Sequence, residues 1–461
     1  MKKIIVWLLI IVACSFLLGC SDFFSSSGND DENTIVWTKH QSPIYIEGCY
    51  VVPEGKTLMI QPGVEVRFKA ARYGNNYNDL ERGMLHVKGT IIARGTKNDS
   101  IVFTRGGDEY EWTIICIDST STDKNIFQYC KMLHSGTLED FYRCCNHVGY
   151  GHCDCGAVFF YKSTGTVKDC YFYNNGSGIF CYRSEGVSIK NSRFVDNGVD
   201  VFCVGNTTAE IVDNTCLNHL AGFYTPYSAI WSEKSDVRIR HNSFEGYYYT
   251  LYCTEMNDIL IEENTFGLNA IGIYIIESQN GEIKSNFMNQ GYVAIYYYRT
   301  SININNNFFL NHQAGIGCDE ESNPIISNNT IVLLEDNKEV SYGIGCAEGA
   351  SPIIYNTIVK GYELNLYIFD PNTHPTITYS FIQSDTLPAG CIDGGHNILG
   401  STLDPMFVDE ENNNCQLQPN SPCINAGCNN APDLSDTDIL GNPRISGPAV
   451  DIGAYEYQWG K

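Results

Sequence analysis

Two glutamates set 22 residues apart, Glu255 and Glu277, are the first candidates for catalytic chemistry. If this interval is one turn of a repeated structure, their carboxyl groups lie on neighbouring turns. The acid and the nucleophile of a retaining glycosidase stand about 5 Å apart, so such a pair would suit that reaction or a shared metal ion. The alternative, which we favour, is a surface ladder in which Arg299 neutralises Glu277 and Glu320. Beyond Glu255, Glu277 and Arg299, the sequence indicates no catalytic residue.

A dense group of thiols and imidazoles could hold a metal. Its members are Cys144, Cys145, His147, His152, Cys153 and Cys155. Thiolates and imidazoles at such spacing suit Zn²⁺. In an exported chain, two disulfides would equally staple this segment, and free thiols are a third alternative. We favour disulfides and therefore expect no cofactor, with Zn²⁺ here or Ca²⁺ elsewhere as the alternatives.

Seven aromatic residues recur at a similar interval and predict a binding surface. They are Phe159, Phe180, Phe202, Trp231, Tyr252, Tyr274 and Tyr296. On stacked strands they would form an outward stripe about 30 Å long, on which sugar rings could stack. Alternatively, the rings stabilise one another as cross-strand pairs. We take the seven as candidate ligand-binding residues for a polysaccharide or a surface protein.

A repeat of about 22 residues positions all these side chains. It reads as an aliphatic residue, an Asn three places later and a bulky apolar residue two beyond, and its cleanest copies begin at Ile239, Ile261, Ile283 and Ile304. The change of side-chain parity within this motif requires a turn, which we assign to Asn in the left-handed conformation. These Asn residues predict an internal hydrogen-bonded ladder: Asn214, Asn242, Asn264, Asn286, Asn307, Asn329 and Asn356.

Short strands, this period and the Asn ladder resemble the right-handed parallel β-helix proteins. The resemblance implies an all-β fold, a right-handed parallel β-helix (solenoid) of about 12–13 rungs, with an N-terminal cap and an irregular C-terminal module. The predicted segments are a signal peptide at 1–19, a flexible tether at 20–34, the β-helix at 35–400 and the C-terminal module at 401–461. That last module resembles one found in bacterial surface β-helix proteins.

Polysaccharide lyases with this fold use Lys or Arg bases and often Ca²⁺. An outward row of Lys168, Lys190, Arg240 and Lys284 could supply such a base. However, Val212 and Glu262 interrupt the row, and no lyase motif is recognisable.

The N-terminus predicts export and lipidation. Lys2 and Lys3 precede an apolar run that is short for a membrane span and typical of a signal peptide. The run ends in Leu17-Leu18-Gly19-Cys20, which resembles the lipobox of bacterial lipoproteins. We therefore expect lipidation at Cys20 and a lipid-anchored protein outside the cytoplasm, at the outer membrane or cell surface. The alternative is an ordinary secretory signal with a chance Cys.

The net charge of the chain limits its binding partners. A net charge of −24 disfavours nucleic acid and anionic lipid as partners, so the protein is expected to contact a membrane only through its N-terminal lipid.

Cys181 and Cys203, like Cys318 and Cys346, would stack on adjacent rungs. Rung spacing exceeds the Cβ separation of a relaxed disulfide, about 3.8 Å, so we predict buried free thiols. Bridges among four further cysteines stay open: Cys391, Cys415, Cys423 and Cys428.

Three functions fit these features. The first is a lipid-anchored binding or adhesion protein without catalysis, which recognises a glycan along the aromatic stripe. The second is a polysaccharide-degrading hydrolase or lyase on a β-helix scaffold, and the third is a structural surface protein. We predict the first, because it uses every strong sequence feature, whereas an enzyme would rest on fold analogy alone.

Overall fold

The computed structural model describes residues 32–69, 71–72, 80–81, 83–107, 112–120, 124–136, 156–219, 228–334 and 340–459. The chain divides into two compact units, unit 1 up to Cys203 and unit 2 from Val204. In the described ranges almost all regular structure is short β-strand, with single 3₁₀ turns at Lys39–Gln41 and Glu410–Asn412. No helix there has the length and apolarity needed to cross a membrane.

Unit 1 is built from three parallel sheets that the chain visits in turn. Sheet 1 contains Thr34–Trp37, Thr57–Ile60, Thr90–Arg94, Ile126–Gln128, Thr166–Lys168 and Val187–Lys190. Sheet 2 contains Ile44–Glu47, Glu65–Lys69, Ile101–Arg105, Cys130–Leu133, Tyr171–Tyr173 and Arg193–Val195. Sheet 3 contains Cys49–Val52, Gly83–Val87, Trp112–Asp118, Val158–Tyr161, Ser177–Tyr182 and Val199–Val204. A small antiparallel pair joins Ala71–Arg72 to Leu80–Glu81.

Unit 2 repeats the same three-sheet arrangement. Sheet 1 contains Thr208–Val212, Asp236–Arg240, Asp258–Glu262, Gly281–Lys284, Asn303–Asn305, Ile325–Ser327, Ile353–Tyr355, Thr376–Thr378 and Ile392–Asp393. Sheet 2 contains Thr215–Leu217, Ser243–Glu245, Thr265–Phe266, Phe287–Tyr298, Phe308–Asp319, Thr330–Val332, Ile358–Lys360, Phe381–Ile382 and Ile398–Leu399. Sheet 3 contains Ser228–Glu233, Tyr249–Thr254, Asn269–Ile276, Tyr342–Cys346 and Leu364–Ile368, together with the second halves of the two 12-residue strands, Phe287–Tyr298 and Phe308–Asp319.

Stacking in register creates the core. Ile239 is the partner of Ile261, and Ile261 of Ile283, and all three are fully buried. Because side chains alternate along a strand, the residues directly before and after each of these isoleucines point to solvent. No single repeat could bury this aliphatic column alone, so the fold depends on its neighbours. The predicted parallel β-helix is therefore confirmed.

The Asn ladder runs through the interior of unit 2. The backbone and side-chain amides of Asn242 both donate to Asn264 Oδ1, at 2.9 and 3.0 Å. Asn264 bonds Asn286 in the same way, at 3.0 Å for both bonds. The prediction is confirmed from Asn214 to Asn329. Each link satisfies a buried amide, which would otherwise destabilise the fold.

Two details of the predicted ladder are wrong. The left-handed residue is the one before the ladder Asn, for example His241 and Glu263, both at φ 54°. Asn356 occupies that left-handed position, with φ 46°, and the next residue, Thr357, continues the ladder by accepting from the Asn329 backbone at 3.4 Å. A Thr hydroxyl can accept the same bond as an Asn carbonyl, so the sequence motif points one residue too early here.

The stacked cysteines pack as small apolar side chains. Cys203, Cys318 and Cys346 are buried free cysteines, as predicted. Burial raises the pKa of the Cys181 thiol, which also hydrogen-bonds the Cys203 side chain. Cysteines near the C-terminus likewise form no disulfide within the described residues; they are Cys391, Cys415, Cys423 and Cys428.

The C-terminal segment packs against unit 2. Cys423 and Ile452 join the apolar cluster that contains Phe308 and Ile358. Its backbone also bonds the β-helix: Ala454 N–H donates to Thr330 Oγ1 at 2.9 Å. The segment also bonds sheet 1, where the Asn303 side-chain amide donates to Asp433 Oδ2 at 2.5 Å. It therefore packs against both sheet 1 and sheet 2.

Candidate functional site

Four aromatic residues form a continuous half-buried surface on sheet 3 of unit 2, here called the aromatic platform: Trp231, Tyr252, Tyr274 and Tyr296. The ring centroids of Trp231 and Tyr252 are 4.6 Å apart, at an interplanar angle of 50°. Tyr252 stacks on Tyr274 at 5.5 Å, and Tyr274 on Tyr296 at 5.3 Å, with angles of 7° and 6°. In-register pairing sets this order, because each ring lies on the strand next to its neighbour.

Further aromatic side chains extend this surface beyond Tyr296. Phe369 is 51% exposed, and its ring lies 4.1 Å from Tyr367 and 5.9 Å from Tyr342. A Cβ at Gly345 would stand 2.7 Å from the Tyr342 ring, so this glycine makes room for the ring. The sequence interpretation missed these three aromatics. Tyr367 carried a signal, since it falls between the inward residues of its strand.

The three phenylalanines of the predicted stripe lie in unit 1 and differ from the platform. Phe159 stacks on Phe180 at 4.7 Å, and Phe180 on Phe202 at 4.9 Å. Phe180 and Phe202 are each only 2% exposed. These two rings are therefore packed and present no face to a ligand.

The predicted glutamate pair is divided between two ion pairs. Glu255 accepts from Lys234 at 2.9 Å. Glu277 instead contacts Arg299 at 3.2 Å, and Arg299 also holds Glu320 at 2.6 Å. The charged ladder that we favoured from the sequence is thus present at Arg299, and the structure brings Glu277 together with Glu320 through this cation.

Beside the platform lies an acid cluster of Asp319, Glu320, Glu348 and Asp370. The Tyr296 hydroxyl donates to Asp319 Oδ2 at 2.6 Å, and the Glu320 backbone N–H donates to Asp319 Oδ1 at 2.9 Å. The Glu348 backbone N–H donates to Asp370 Oδ2 at 2.6 Å. Register places Asp319 on the strand next to Tyr298, so the cluster is built by consecutive rungs.

Two carboxyl groups of this cluster have pKa values pushed in opposite directions. A side-chain hydrogen bond with Glu320 raises the pKa of Glu348, and the nearby Asp319 charge adds to the effect. Hydrogen bonds from Arg299 and Glu348 lower the pKa of Glu320. Glu348 therefore keeps its proton to higher pH while Glu320 ionises. Carboxyls whose environments separate their pKa values in this way are typical of acid and base catalysis.

The sequence interpretation placed Glu320 only in a surface ladder with Arg299 and missed Asp319. The signal for Asp319 was its place two residues after Gly317 on the same outward face. Nothing in the sequence indicated that Tyr296 would donate to it, because that bond depends on a register between separate strands.

The cations of the predicted lyase row lie on sheet 1, and in unit 2 they are engaged with carboxylates. Arg240 lies 3.6 Å from Glu262, and Lys284 lies 2.8 Å from Glu282.

In the described ranges no three His, Cys, Asp or Glu residues are arranged to hold a metal ion. The predicted lipidation residue and metal-ligand candidates lie outside the described residues: Cys20, Cys144, Cys145, His147, His152, Cys153 and Cys155.

Comparison with known proteins identifies the architecture. A family model described as right handed beta helix region matches residues 115–216 and 228–382. No curated protein matches the sequence. Similar solved structures include lidless DFA-IIIase from Arthrobacter chlorophenolicus A6, at 12% identity, TM-score 0.37, and covering 76% of this chain and 89% of that one. XylC in complex with xylose follows at 9% identity, TM-score 0.44, and coverage of 90% and 99%. The catalytic domain of a GH87 alpha-1,3-glucanase has 12% identity, TM-score 0.40, and coverage of 82% and 71%.

The predicted non-catalytic binding and adhesion role is contradicted by this comparison, because the neighbours include named enzymes: DFA-IIIase, a GH87 glucanase and the pectate lyase Pel9A. The sequence argument preferred binding because an enzyme would have rested on fold analogy alone, and a weak argument for catalysis is not evidence against it. At these TM-scores the likeness carries no argument about the substrate or the reaction. Those must come from the side chains of this chain.

Proposed function

The chain belongs to the right-handed β-helix family, and we propose that it is a polysaccharide-degrading enzyme, a glycoside hydrolase. Its site consists of the aromatic platform and the acid cluster of unit 2. The observation that carries the proposal is the acid cluster at the end of a row of stacked Tyr rings, where the Tyr296 hydroxyl and a backbone N–H hold Asp319. Family membership supplies the scaffold only, since one fold supports many functions.

The roles follow from the surroundings of each group. Glu348, with its raised pKa, is the proton donor to the leaving oxygen of the glycosidic bond. Asp319 is held by the Tyr296 hydroxyl and a backbone N–H, so its carboxylate is oriented as the base or nucleophile. Glu320, paired with Arg299, keeps the proton on Glu348. Two carboxyl groups with separate duties are what glycoside hydrolysis requires.

The platform supplies the binding surface. Tyr252, Tyr274 and Tyr296 present half-buried, nearly parallel rings on neighbouring strands. Their rung spacing, about 4.8 Å, is close to the length of one sugar ring, so a glycan chain crossing the rungs meets a ring at each step. Carbohydrate binding belongs to this proposal as the positioning part of the reaction.

Hydrolysis is favoured over lyase chemistry because the cations on this face are occupied. Arg299 pairs with both Glu277 and Glu320, which leaves it poorly suited to remove a proton from a sugar carbon. Lys234 is likewise paired with Glu255. Carboxyl groups, in contrast, are in excess beside the platform.

We also propose that the enzyme is a lipoprotein exported by a signal peptide and anchored through Cys20, outside the cytoplasm. The lipobox-like Leu17-Leu18-Gly19-Cys20 supports this location. A polymeric glycan is too large to enter a cell, so an enzyme acting on it would work at the surface. Metabolic labelling with a palmitate analogue, compared between the native chain and Cys20→Ala, tests the anchor.

Product analysis on a panel of neutral and acidic polysaccharides tests the reaction. We expect new reducing ends without absorbance near 235 nm from unsaturated sugars, and a loss of about 10²–10⁴-fold in rate for Glu348→Gln. Glu255→Gln, on the same face but paired with Lys234, is the matched control and should keep full activity. Unsaturated products, or an unaffected Glu348→Gln, would refute the proposal.

A further inference from the structure

The outward column of sheet 3 in unit 2 continues past the proposed catalytic carboxyl groups. On seven successive strands in register its members are Trp231, Tyr252, Tyr274, Tyr296, Gly317, Gly345 and Tyr367. The strand of Gly317 ends in Asp319, and Glu348 comes two residues after the strand of Gly345. Asp319 and Glu348 therefore have aromatic residues on both sides of them along the column.

The Tyr342 ring fills the gap that the two glycines leave in this column. A Cβ at Gly317 would stand 2.9 Å from the Tyr296 ring and 3.6 Å from the Tyr342 hydroxyl oxygen. A Cβ at Gly345 would stand 2.7 Å from the Tyr342 ring. The Tyr342 ring centroid in turn lies 6.4 Å from that of Tyr367. The row of rings thus continues beside the carboxyl groups without a break.

Phe369 ends this row of rings. Its ring meets Tyr367 at an interplanar angle of 63° and Tyr342 at 89°, so both neighbours hold it by edge contacts. Phe369 is nevertheless 51% exposed. An aromatic side chain that is held in place by two others and still keeps half of its surface open suits contact with a ligand.

The rung spacing converts the row into a length of substrate. Six intervals separate the strand of Trp231 from the strand of Tyr367, which at about 4.8 Å each gives about 29 Å. At about one sugar ring per rung, this length matches about seven sugars. The carboxyl groups stand off centre, because four aromatic rungs precede the strand of Gly317 and, among the described strands of sheet 3, one follows that of Gly345.

We propose, on the basis of the hydrolase function proposed above, that the site holds about seven sugars and cleaves bonds inside a long, linear polysaccharide. About five sugars lie on the Trp231 side of the broken bond and about two on the Phe369 side. The glycosidic carbon–oxygen bond breaks beside the two glycines, and its oxygen takes the Glu348 proton. Water gives a hydroxyl group to the anomeric carbon and a proton that restores Glu348.

The cleavage pattern of the full-length protein tests this proposal. The substrates are the polysaccharide that it hydrolyses best and the linear seven-sugar oligosaccharide of the same linkage. We expect the viscosity of the polymer to fall early, and the oligosaccharide to give mainly fragments of about five and two sugars. Release of single sugars from the start at constant viscosity would overturn the proposal while leaving the hydrolase function intact. Absence of hydrolysis on every glycan would refute that function, and this proposal with it.

Phe369→Ala tests the far end of the row. It should lower kcat/KM for the seven-sugar substrate by about tenfold, through the loss of one aromatic contact. Tyr45→Ala, at a similarly exposed aromatic residue of unit 1, is the control and should leave this value unchanged. Equal values for Phe369→Ala and the native protein would overturn the proposal.

Binding to the Glu348→Gln variant measures the length of the site without catalysis. By isothermal titration calorimetry, the affinity for oligosaccharides of the same linkage should rise with each sugar up to about seven and then level off. A plateau already at two or three sugars would contradict contacts along the whole row of rings.

Discussion

Asp118 in unit 1 and Asp319 in unit 2 occupy equivalent places, each at the end of a sheet 3 strand and each pointing outward. Their partners differ: His86 holds Asp118 at 2.8 Å, whereas the Tyr296 hydroxyl holds Asp319 at 2.6 Å. The contact with Asp118 satisfies an imidazole that is only 3% exposed. A phenol partner leaves an oriented carboxylate beside a row of rings. One backbone position thus holds two different polar contacts, according to the side chain on the adjacent rung.

The aromatic columns of the two units differ in the same way. The rings of Phe180 and Phe202 stack at 4.9 Å and those of Tyr252 and Tyr274 at 5.5 Å, so the geometry is similar. However, the phenylalanines are 2% exposed while the tyrosines are half-buried. An outward direction on a strand therefore does not establish a binding surface. Exposure decides whether stacked rings serve packing or a ligand.

The largest expected effect separates the two aspartates. Asp319→Asn removes the oriented carboxylate and should lower kcat/KM for glycan hydrolysis by about 10²–10⁴-fold. Asp118→Asn, the matched change in unit 1, should leave this value within about twofold, since Asp118 pairs with His86 and is not part of the proposed glycan site. Steady-state hydrolysis of the best polysaccharide from the panel measures both. A similar loss in the two variants would place the glycan site elsewhere.

The next contrast concerns the stacked rings. Phe180→Ala should lower the free energy of unfolding by about 3–5 kcal/mol, because a buried aromatic side chain leaves a cavity. Tyr274→Ala should lower it less, by about 1–2 kcal/mol, because the ring is half-buried. The second variant should instead raise KM for the glycan by about tenfold. Urea unfolding and steady-state kinetics test the pair, and a reversed order of destabilisation would contradict the division between packing and binding.

The interior ladders give a smaller contrast. Asn264→Ala leaves two Asn242 donors without their acceptor and should lower the free energy of unfolding by about 3 kcal/mol. In unit 1 the corresponding Ser192 hydroxyl accepts one bond, from the Cys170 backbone at 3.1 Å. Ser192→Ala should therefore lower it by only about 1–2 kcal/mol. Equal effects would mean that the side-chain amide bond of the Asn ladder adds nothing.

The Asn ladder and the register between successive rungs were largely predictable from the sequence, because a strict period fixes which residues stack. The error at Asn356 arose where Thr357, a different residue with the same accepting ability, took the ladder position. The site was less predictable. Glu255 and Glu277 have the right spacing, but the cation that each one meets depends on side-chain reach. The hydrogen bonds at Asp319 and at Glu348 join separate strands, so no local sequence pattern predicts them.

The pH dependence of stability should differ between the units. Burial raises the pKa of Glu456 in unit 2 to about 7, and Asp451 and Arg444 face it. Because the pKa of Glu456 is higher in the folded state, this group stabilises the fold at pH values below its ordinary pKa, near 4.5. That stabilisation is lost as the pH rises through 7. In unit 1 the pKa of Asp118 is lowered, so its contribution to stability has the opposite pH dependence. That contribution is lost only as the pH falls below the ordinary Asp range.

Hydrogen exchange at pH 5 and pH 8.5 resolves this difference by unit. Between these values, protection in the C-terminal segment of unit 2 should fall by about 1–2 kcal/mol, and Glu456→Gln should flatten that dependence. Unit 1 should show no matching decline. An unchanged slope in Glu456→Gln would assign the dependence to other carboxyl groups.

The smallest expected effect is at Glu255, one of the two glutamates that the sequence offered as catalytic candidates. Glu255 pairs with Lys234 at 2.9 Å, but their side chains are 46% and 49% exposed, so solvent screens the pair. Glu255→Gln should change the free energy of unfolding by less than about 0.5 kcal/mol and leave hydrolysis unchanged. Thermal unfolding and kinetics on the same preparation check both. If Glu255→Gln instead lowered kcat tenfold or more, the chemistry would lie at the Lys234–Glu255 end of the platform, and the Tyr296–Asp319 contact would be structural.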